Sequence, residues 1–312
     1  MARISVLLPV YNVERYVAEA LASIQAQSFT DLEIVVVDDG STDGTLSVVE
    51  QMACRDPRIH VVRPPRNLGL PAALNFGLAF CRASLIARMD GDDVALPTRL
   101  EKQLRFLEEN PDIALVGCAT LAIDESGRPI PGLGVSSKPT SQDAILRTAS
   151  LAPPCSHIWL ARREVYEKLS GYRDISVAED FDFLLRAITA GFRISNIAEP
   201  LMLIRARAGN ISWRLEQRKA HDYIVDLYRE RLRAGQDSFC RDGYERHVIA
   251  GRIEDRAFSL AMRCVQKGLQ SRNRFLRYSL LLLSALISPW QARYFCRRLQ
   301  LKLALRRPEF SS

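Results

Sequence analysis

The chain has 312 residues, 47% hydrophobic and 25% charged, with a formal net charge of +7. This length and composition fit a large α/β domain with an appended piece, and exclude a disordered or low-complexity chain. The seven cysteines are odd in number and scattered, with no C-x-x-C pair, which argues against a zinc site or disulfide framework and fits a reducing, cytoplasmic compartment.

The opening MARISVLLPVYN meets proline and polar residues too soon for a secretory leader and reads as a first strand, ISVLLPVY (4–11). Further strand-like runs are EIVVVDD (33–39), IHVVRP (59–64), LIARMD (85–90) and IALVGCATLAI (113–123). Helical patterns lie between them at 14–27, 45–55, 70–82 and 96–110. Val17, Leu21 and Ile24 form one apolar stripe, and Pro97 suits a first helical turn. Continuous apolar strands alternating with amphipathic helices predict a mainly parallel sheet covered on both faces. Residues 124–156 are loop-rich. HIWLARR then reads as a strand and EVYEKLSG as a short helix. Another helix is predicted to start near Glu179, burying Phe181, Leu184, Leu185 and Ile188. RISNIAEPLMLIRAR returns to strand, and from about residue 213 the pattern is helical. The apolar stretch at 274–290 is broken by Arg277 and is short for a membrane span. A helix lying on a membrane and a helix buried against the main domain both fit it. The excess arginine lies after about residue 205, so an anionic partner is expected there: membrane headgroups, nucleic acid or a phosphorylated substrate.

Sheets of this kind bind ligands beyond the carboxyl ends of their strands. The polar clusters PVYN, DDGSTDGT, PPRNLG and DGDD fall at four such ends. In DGDD, Asp90 and Asp92 can hold a hard cation such as Mg²⁺ or Mn²⁺, with Gly91 allowing a sharp turn. A helix-capping cluster is the alternative. Three carboxylates in four positions repel unless a cation neutralises them, and that cation is expected to arrive with the substrate. Asp38 and Asp39 end a buried strand, where a carboxylate can accept from a uracil ring or a ribose hydroxyl or can serve the next helix. No G-x-G-x-x-G follows any strand, which argues against a dinucleotide fold.

The ordered series SVLLPVYN, EIVVVDDGSTDGT, NLGLPAALNFGL, MDGDD and EDFDFLLRA resembles the family 2 glycosyltransferases with a GT-A fold, through nearly all of the first 210 residues. The resemblance implies an inverting transfer of a sugar from a nucleotide-sugar donor, a UDP-sugar being favoured, to an acceptor hydroxyl on a glycan or lipid-linked sugar. It implies that Pro9, Tyr11 and Asn12 line the base and ribose, and that Asp39 reads the base with Asp38 beside it. Asn67 and Gly69 match the loop that closes over the nucleotide. Asp90 matches the acid that faces the ribose or a metal-bound water, Asp92 the direct metal ligand, and Asp93 a brace. Asp180 matches the catalytic base, with Glu179 on the acceptor side, while His157 is read as structural. The processive members' Q-x-x-R-W is absent, since QRKAH stands at 217–221, so a single addition is implied. Arg207 stands where the family often has a histidine, and its fork suits a diphosphate.

The expected organisation is a GT-A domain over 1–207, with a nucleotide-sugar half at 1–115 and an acceptor half at 116–207, then a basic helical extension at 208–312. A cytoplasmic protein, peripheral at the inner face of the membrane, with no nucleic-acid partner, is the corresponding expectation. A sugar-nucleotide pyrophosphorylase-like nucleotidyltransferase would need a glycine- and arginine-rich loop after strand one, which PVYNVERY does not supply. A basic binding module with a degenerate site conflicts with the intact acids, and no aromatic-interleaved basic platform is present.

Overall fold

The computed structural model describes residues 2–130, 134–207, 214–271 and 273–306. The chain divides into two compact units, Met1–Leu146 with Pro153–Gly209, and Arg147–Ala152 with Asn210–Ser312.

The first unit begins with the predicted alternation: β1 (Ile4–Val10), α1 (Glu14–Gln25), β2 (Leu32–Asp38), α2 (Thr45–Ala53), β3 (Ile59–Val62), α3 (Leu70–Leu78) and β4 (Leu85–Arg88). Every residue of β1, β2 and β4 is buried, as the unbroken apolar runs require of strands covered on both faces. These four strands pair in parallel, β1 lying between β2 and β4, with β3 beyond β2. Helix α1 turns Tyr16, Val17, Ala20, Leu21 and Ile24 into the core.

Register places the functional ends. Val10 lies opposite Asp38, and Leu7 opposite Arg88. Strand β4 therefore stops short of the end of β1, and the chain after it runs alongside that end. Met89 N donates to Leu7 O at 3.1 Å. A Cβ on Gly91 would lie 2.7 Å from Val10 Cγ1. Close approach, rather than a left-handed turn, is what requires glycine there.

The rest of the unit comprises β5 (Val94–Ala95), α4 (Arg99–Glu109), β6 (Ile113–Ile123), α5 (Gln142–Thr148), whose last residues fall in the second unit, β7 (Leu160–Arg162), α6 (Arg163–Leu169), α7 (Glu179–Thr189) and β8 (Arg193–Arg205). The eight strands form one sheet in the order β3-β2-β1-β4-β7-β6-β8-β5. It is mixed: β7 is antiparallel to β4 and β6, β6 and β8 are parallel, and β5 is antiparallel to β8. Pro97 precedes α4 instead of sitting in its first turn. Arg99 N donates to Leu96 O at 3.0 Å, so the proline occupies a turn that its fixed φ also suits. The HIWLARR strand shortens to β7 because Arg163 opens α6, and its guanidinium is held by Cys81 O and Ala83 O at 2.6 and 2.8 Å. In β8, Pro200 coincides with a register irregularity against β6, since proline supplies no amide hydrogen to the ladder.

The second unit carries α8 (Leu215–Ala234), α9 (Arg241–Val248), α10 (Arg252–Gln270), α11 (Arg274–Ile287) and α12 (Pro289–Leu305). Its small core gathers Leu215, Phe258, Met262 and Val265 with Leu281, Trp290 and Phe295 packed against them. Glu254 ties it together, accepting from Lys219 Nζ at 2.9 Å and Trp290 Nε1 at 2.7 Å. Among the described residues no helix is long and apolar enough to cross a membrane.

Candidate active site

The loops after β1 and β2 are stitched together. Asn12, at φ 50°, accepts on Oδ1 from Thr42 N at 2.8 Å and donates its own amide to Ser41 Oγ at 3.1 Å. Val13 N donates to Thr45 Oγ1 at 2.8 Å, and Glu14 Oε2 accepts from Gly44 N at 2.9 Å. Pro9 is buried inside β1, while Tyr11 stands exposed just beyond it.

Asp38 and Asp39 are both buried and divide their work. Asp38 Oδ2 accepts from Arg63 Nε at 3.2 Å. Asp39 accepts from Leu68 N on one oxygen and Gly69 N on the other, at 2.8 and 2.9 Å. Asn67 Nδ2 donates to Asp39 O at 2.8 Å. Asp39 thus clamps the 67–69 loop to the end of β2, and Gly69, at φ 82°, supplies the left-handed residue that lets α3 start there.

The acidic loop after β4 is neutralised from within the chain. Asp93 Oδ1 accepts from Arg205 N at 2.9 Å, and its Oδ2 lies 3.2 Å from His157 Nε2. The same imidazole nitrogen is 3.5 Å from Asp90 Oδ2. Asp92 Oδ2 pairs with Arg207 Nε at 2.9 Å, while Arg205 Nε donates to Asp92 O at 2.9 Å. Strand β5 explains the meeting: the loop runs straight into it, and its pairing with β8 brings Arg205 and Arg207 alongside. Burial and the charges of Asp93 and Asp90 raise the Asp92 carboxyl to about 6 despite Arg207. Burial alone would lower the His157 pKa, but Asp90 and Asp93 outweigh it and raise it to about 9. The expectation that the neutralising cation comes only with substrate is therefore corrected: His157, Arg88 and Arg207 already stand there.

Arg88 joins this loop to α7. Its side chain is 1% exposed and lies between the rings of Trp159 and Tyr172, 5.5 and 5.6 Å from their centroids. Nη2 donates to Glu179 Oε1 at 2.6 Å, and Nε stands 3.6 Å from Asp90 Oδ1. Buried guanidinium needs such partners. Arg99, also fully buried, donates to Arg88 O at 2.7 Å and fixes the strand end from below. Helix α7 opens on Ala178, a non-glycine residue at φ 68°. Glu179 is buried against Arg88, and burial, outweighing the guanidinium, raises its carboxyl above the usual range. Asp180 is partly exposed and accepts from Phe181 N at 2.8 Å. It lines a hollow of about 470 Å³ with Thr120, Lys138, Ser156, His157 and Ile204.

The candidate residues thus fall into two joined groups. Pro9, Tyr11, Asn12, Asp38, Asp39, Asn67 and Gly69 gather at the ends of β1, β2 and the loop before α3. Asp90, Asp92, Arg207, Glu179 and Asp180 gather beyond β4, around Arg88 and His157. Asp90, Asp93 and His157 offer one ligand atom each within 4.8 Å of one another. Carboxylate oxygens with an imidazole suit Mn²⁺, and carboxylates alone suit Mg²⁺, so the residues fit a divalent cation. Asp92 is outside that trio, on Arg207. Two residues carry more than sequence reasoning gave them, Arg88 and His157. A lone arginine inside the apolar run LIARMD was the available signal for the first, because a buried arginine demands an anion. Nothing local marked His157.

The model for the family described as "Glycosyl transferase family 2" matches residues 5–170. The amylovoran biosynthesis glycosyltransferase AmsE of Erwinia amylovora is 32% identical over 243 residues, covering 76% of this chain and 88% of its own. The structure of S. aureus TarS 1–349 in complex with UDP-GlcNAc superposes with a TM-score of 0.61 at 19% identity, covering 98% of this chain and 92% of that one. The mannosyltransferase PcManGT from Pyrobaculum calidifontis, in complex with GDP-Man and Mn²⁺, gives 0.57 at 21% identity over 97% and 86%. Both structural likenesses are to the fold.

Proposed function

The chain belongs to glycosyl transferase family 2 and is a glycosyltransferase; from that premise we propose that it moves a sugar, with inversion and with a divalent cation, from a nucleotide-sugar donor to an acceptor hydroxyl in polysaccharide or lipid-linked glycan synthesis. Family membership sets aside the pyrophosphorylase-like and binding-module alternatives. The observation that carries the proposal is the Arg88 link, which holds the acidic loop and the head of α7 in one place.

Residues 1–115 form the donor half. Tyr11, Asn12 and the clamped 67–69 loop receive base and ribose, with Asp38 and Asp39 setting the loop and reading the base. Residues 116–207 form the acceptor half, supported by the hollow beside Asp180. Asp180 takes the proton of the acceptor hydroxyl as its oxygen attacks the anomeric carbon. The bond from that carbon to the diphosphate oxygen breaks, and the nucleoside diphosphate leaves. Glu179, held by Arg88, fixes the orientation of Asp180 at the helix head.

A bound Mg²⁺ or Mn²⁺ would neutralise charge growing on the departing diphosphate. Asp90 and Asp92 would hold it. Asp93 is committed to Arg205 N and His157, whereas Asp92 is met by an arginine side chain that can exchange it for a cation. Arg207, released, suits the diphosphate. A UDP-sugar is the favoured donor on the family resemblance; TarS was solved with UDP-GlcNAc and PcManGT with GDP-Man, so the donor panel decides between the nucleotides. AmsE, named for amylovoran biosynthesis, supports a glycan acceptor. The basic composition of residues 208–312 supports a cytoplasmic enzyme peripheral at the inner face of the membrane, and no nucleic-acid partner is included.

Incubation with Mn²⁺ and a panel of UDP-, GDP- and dTDP-sugars tests the proposal. Nucleotide release and a raised melting temperature are expected with one donor class. No stabilisation by any nucleotide, with or without metal, refutes it. Asp180→Asn is expected to lower kcat by roughly 10²–10⁴-fold with the nucleotide-induced melting shift retained; full transfer by that variant removes Asp180 as base.

A further inference from the structure

We propose that α11 and α12 form a docking face for an anionic lipid surface, with the outer stripe of α11 entering the acyl boundary and the exposed basic residues of α12 on the headgroups. The face lies outside the catalytic site, and the proposal stands whether or not the transfer reaction above is correct.

Helix α11 has two faces. Inward, Leu281 packs on the small helical core, and Ser284 is fully buried. Gly268 of α10 permits this closeness: a Cβ there would meet Arg277 O at 3.3 Å and Leu280 Cβ at 3.4 Å. Outward, Phe275, Tyr278, Leu282 and Leu286 are 82, 61, 64 and 77% exposed. Their spacing of three, four and four residues puts them on one stripe of an α-helix, opposite Ser284 and turned away from Leu281. Single exposed apolar residues need no explanation, but four large ones in line do. At 14 residues the helix is too short to span a bilayer.

Charge selects the occupant. Residues 208–312 hold 21 Lys and Arg against 10 Asp and Glu, whereas residues 1–207 hold 22 against 26. From Arg256 through Pro308 there are 12 Lys and Arg and no acidic residue at all. Arg298 and Lys302, exposed on α12, add their charge next to exposed Leu299 and Leu303. A second copy of this face would set cation against cation, which opposes self-association. A nucleic acid would meet the charge but leave the leucine stripe in water. An exposed apolar stripe in a segment this rich in arginine and lysine matches an anionic bilayer, where each basic residue near the surface adds to the attraction and the apolar face is buried at the acyl boundary.

The full-length protein is sedimented with phosphatidylcholine vesicles, with and without phosphatidylglycerol, at low and high salt. Binding is expected only with the anionic lipid, weakened by salt. Leu282→Glu/Leu286→Glu is expected to cut partitioning by roughly tenfold or more. Arg298→Glu/Lys302→Glu is expected to remove its dependence on phosphatidylglycerol. Both variants should keep the parent's circular dichroism, melting temperature and donor hydrolysis, which separates loss of the face from loss of the fold. Three results overturn the proposal: equal binding to neutral vesicles, vesicle binding unchanged in the leucine variant, or no vesicle binding. In the last case, a dimer in sedimentation velocity that the leucine variant abolishes assigns the face to a second copy. Tight duplex DNA binding that the leucine variant retains assigns the charge to nucleic acid.

Discussion

Arg88→Met should be among the most damaging single changes to the first unit, and its size follows from the geometry. Arg88 and Glu179 pair at 2.6 Å with side chains 1 and 7% exposed. Methionine fills much of the volume but leaves Glu179 buried beside Asp90 without its counter-ion. Breaking a buried pair in this way costs about 3–5 kcal/mol. For a unit of this size each kcal/mol moves the melting temperature by about 2–4 °C, so a fall of roughly 6–20 °C is expected. The direction of the Glu179 shift adds a second test. Burial already pushes that carboxyl up, and removing Arg88 pushes it further, so Glu179 can shed its charge on acidification. The gap between variant and parent should therefore narrow from pH 8 to pH 5 in differential scanning calorimetry with EDTA. Arg88→Met/Glu179→Leu should recover much of the lost stability, because the orphaned carboxylate is gone. It should not recover kcat, because the head of α7 is no longer tied to the acidic loop. A melting temperature of Arg88→Met within about 2 °C of the parent, or a gap that widens on acidification, refutes the reasoning.

Metal-free protein should lose stability as pH rises. The His157 pKa, raised from 6.5 to about 9, gives stabilisation that is complete below 6.5 and is lost as pH climbs through 9. The Asp92 carboxyl, raised from 3.8 to about 6, adds a cost of ionisation that is absent below 3.8 and complete above 6. Each contributes about 3 kcal/mol at most, so urea midpoints in EDTA should fall between pH 4 and 9.5, and a flat profile contradicts both assignments. Mn²⁺ should raise the melting temperature of the parent and of His157→Gln but not of Asp92→Asn; the reverse pattern moves the cation to Asp90, Asp93 and His157. Arg207→Ala should bind Mn²⁺ more tightly without nucleotide, by calorimetric titration, and bind the nucleoside diphosphate more weakly. Gly77→Ala should cost about 1–3 kcal/mol by urea denaturation. Its Cβ would lie 2.4 Å from Val37 Cγ2 and 2.5 Å from Leu7 Cδ1, where α3 packs on the sheet.

The parallel half of the fold was legible because its strands are continuous apolar runs and each ends on a polar cluster that the backbone cannot bury. Pro9, Asn12, Asp38, Asp39 and Asn67 could be assigned to one crevice by topology alone. The mixed half was less legible. Two-residue β5 has no periodicity, yet its pairing with β8 is what puts Arg205 and Arg207 on the acidic loop. Strand β7 is short and reverses direction, and no local pattern reports direction. Partners such as Arg88 with Glu179, 91 positions apart, or Asp93 with Arg205, 112 apart, are invisible until the sheet order is known.

The sheet order also changes what the acidic loop means. Three carboxylates in four residues looked like a site waiting for a cation, since repulsion among them had no evident relief in the sequence. In the fold each has a cation, and the three differ in how easily that cation leaves. Asp93 is bound by a backbone amide and a histidine, and giving these up would unpair β5 from its setting beside β8. Asp90 stands between His157 and a fully buried arginine that also serves Glu179. Asp92 alone is matched by a side chain about one-third exposed, Arg207. Exchange is therefore cheapest at Asp92, and the same exchange frees a guanidinium whose geometry suits a diphosphate. An arginine where the family often has a histidine would then be a counter-ion in the unliganded loop and, in the proposed loaded state, a phosphate ligand. Donor binding and cation binding would be linked through that one side chain, each favouring the other by the free energy of the ion pair they jointly replace.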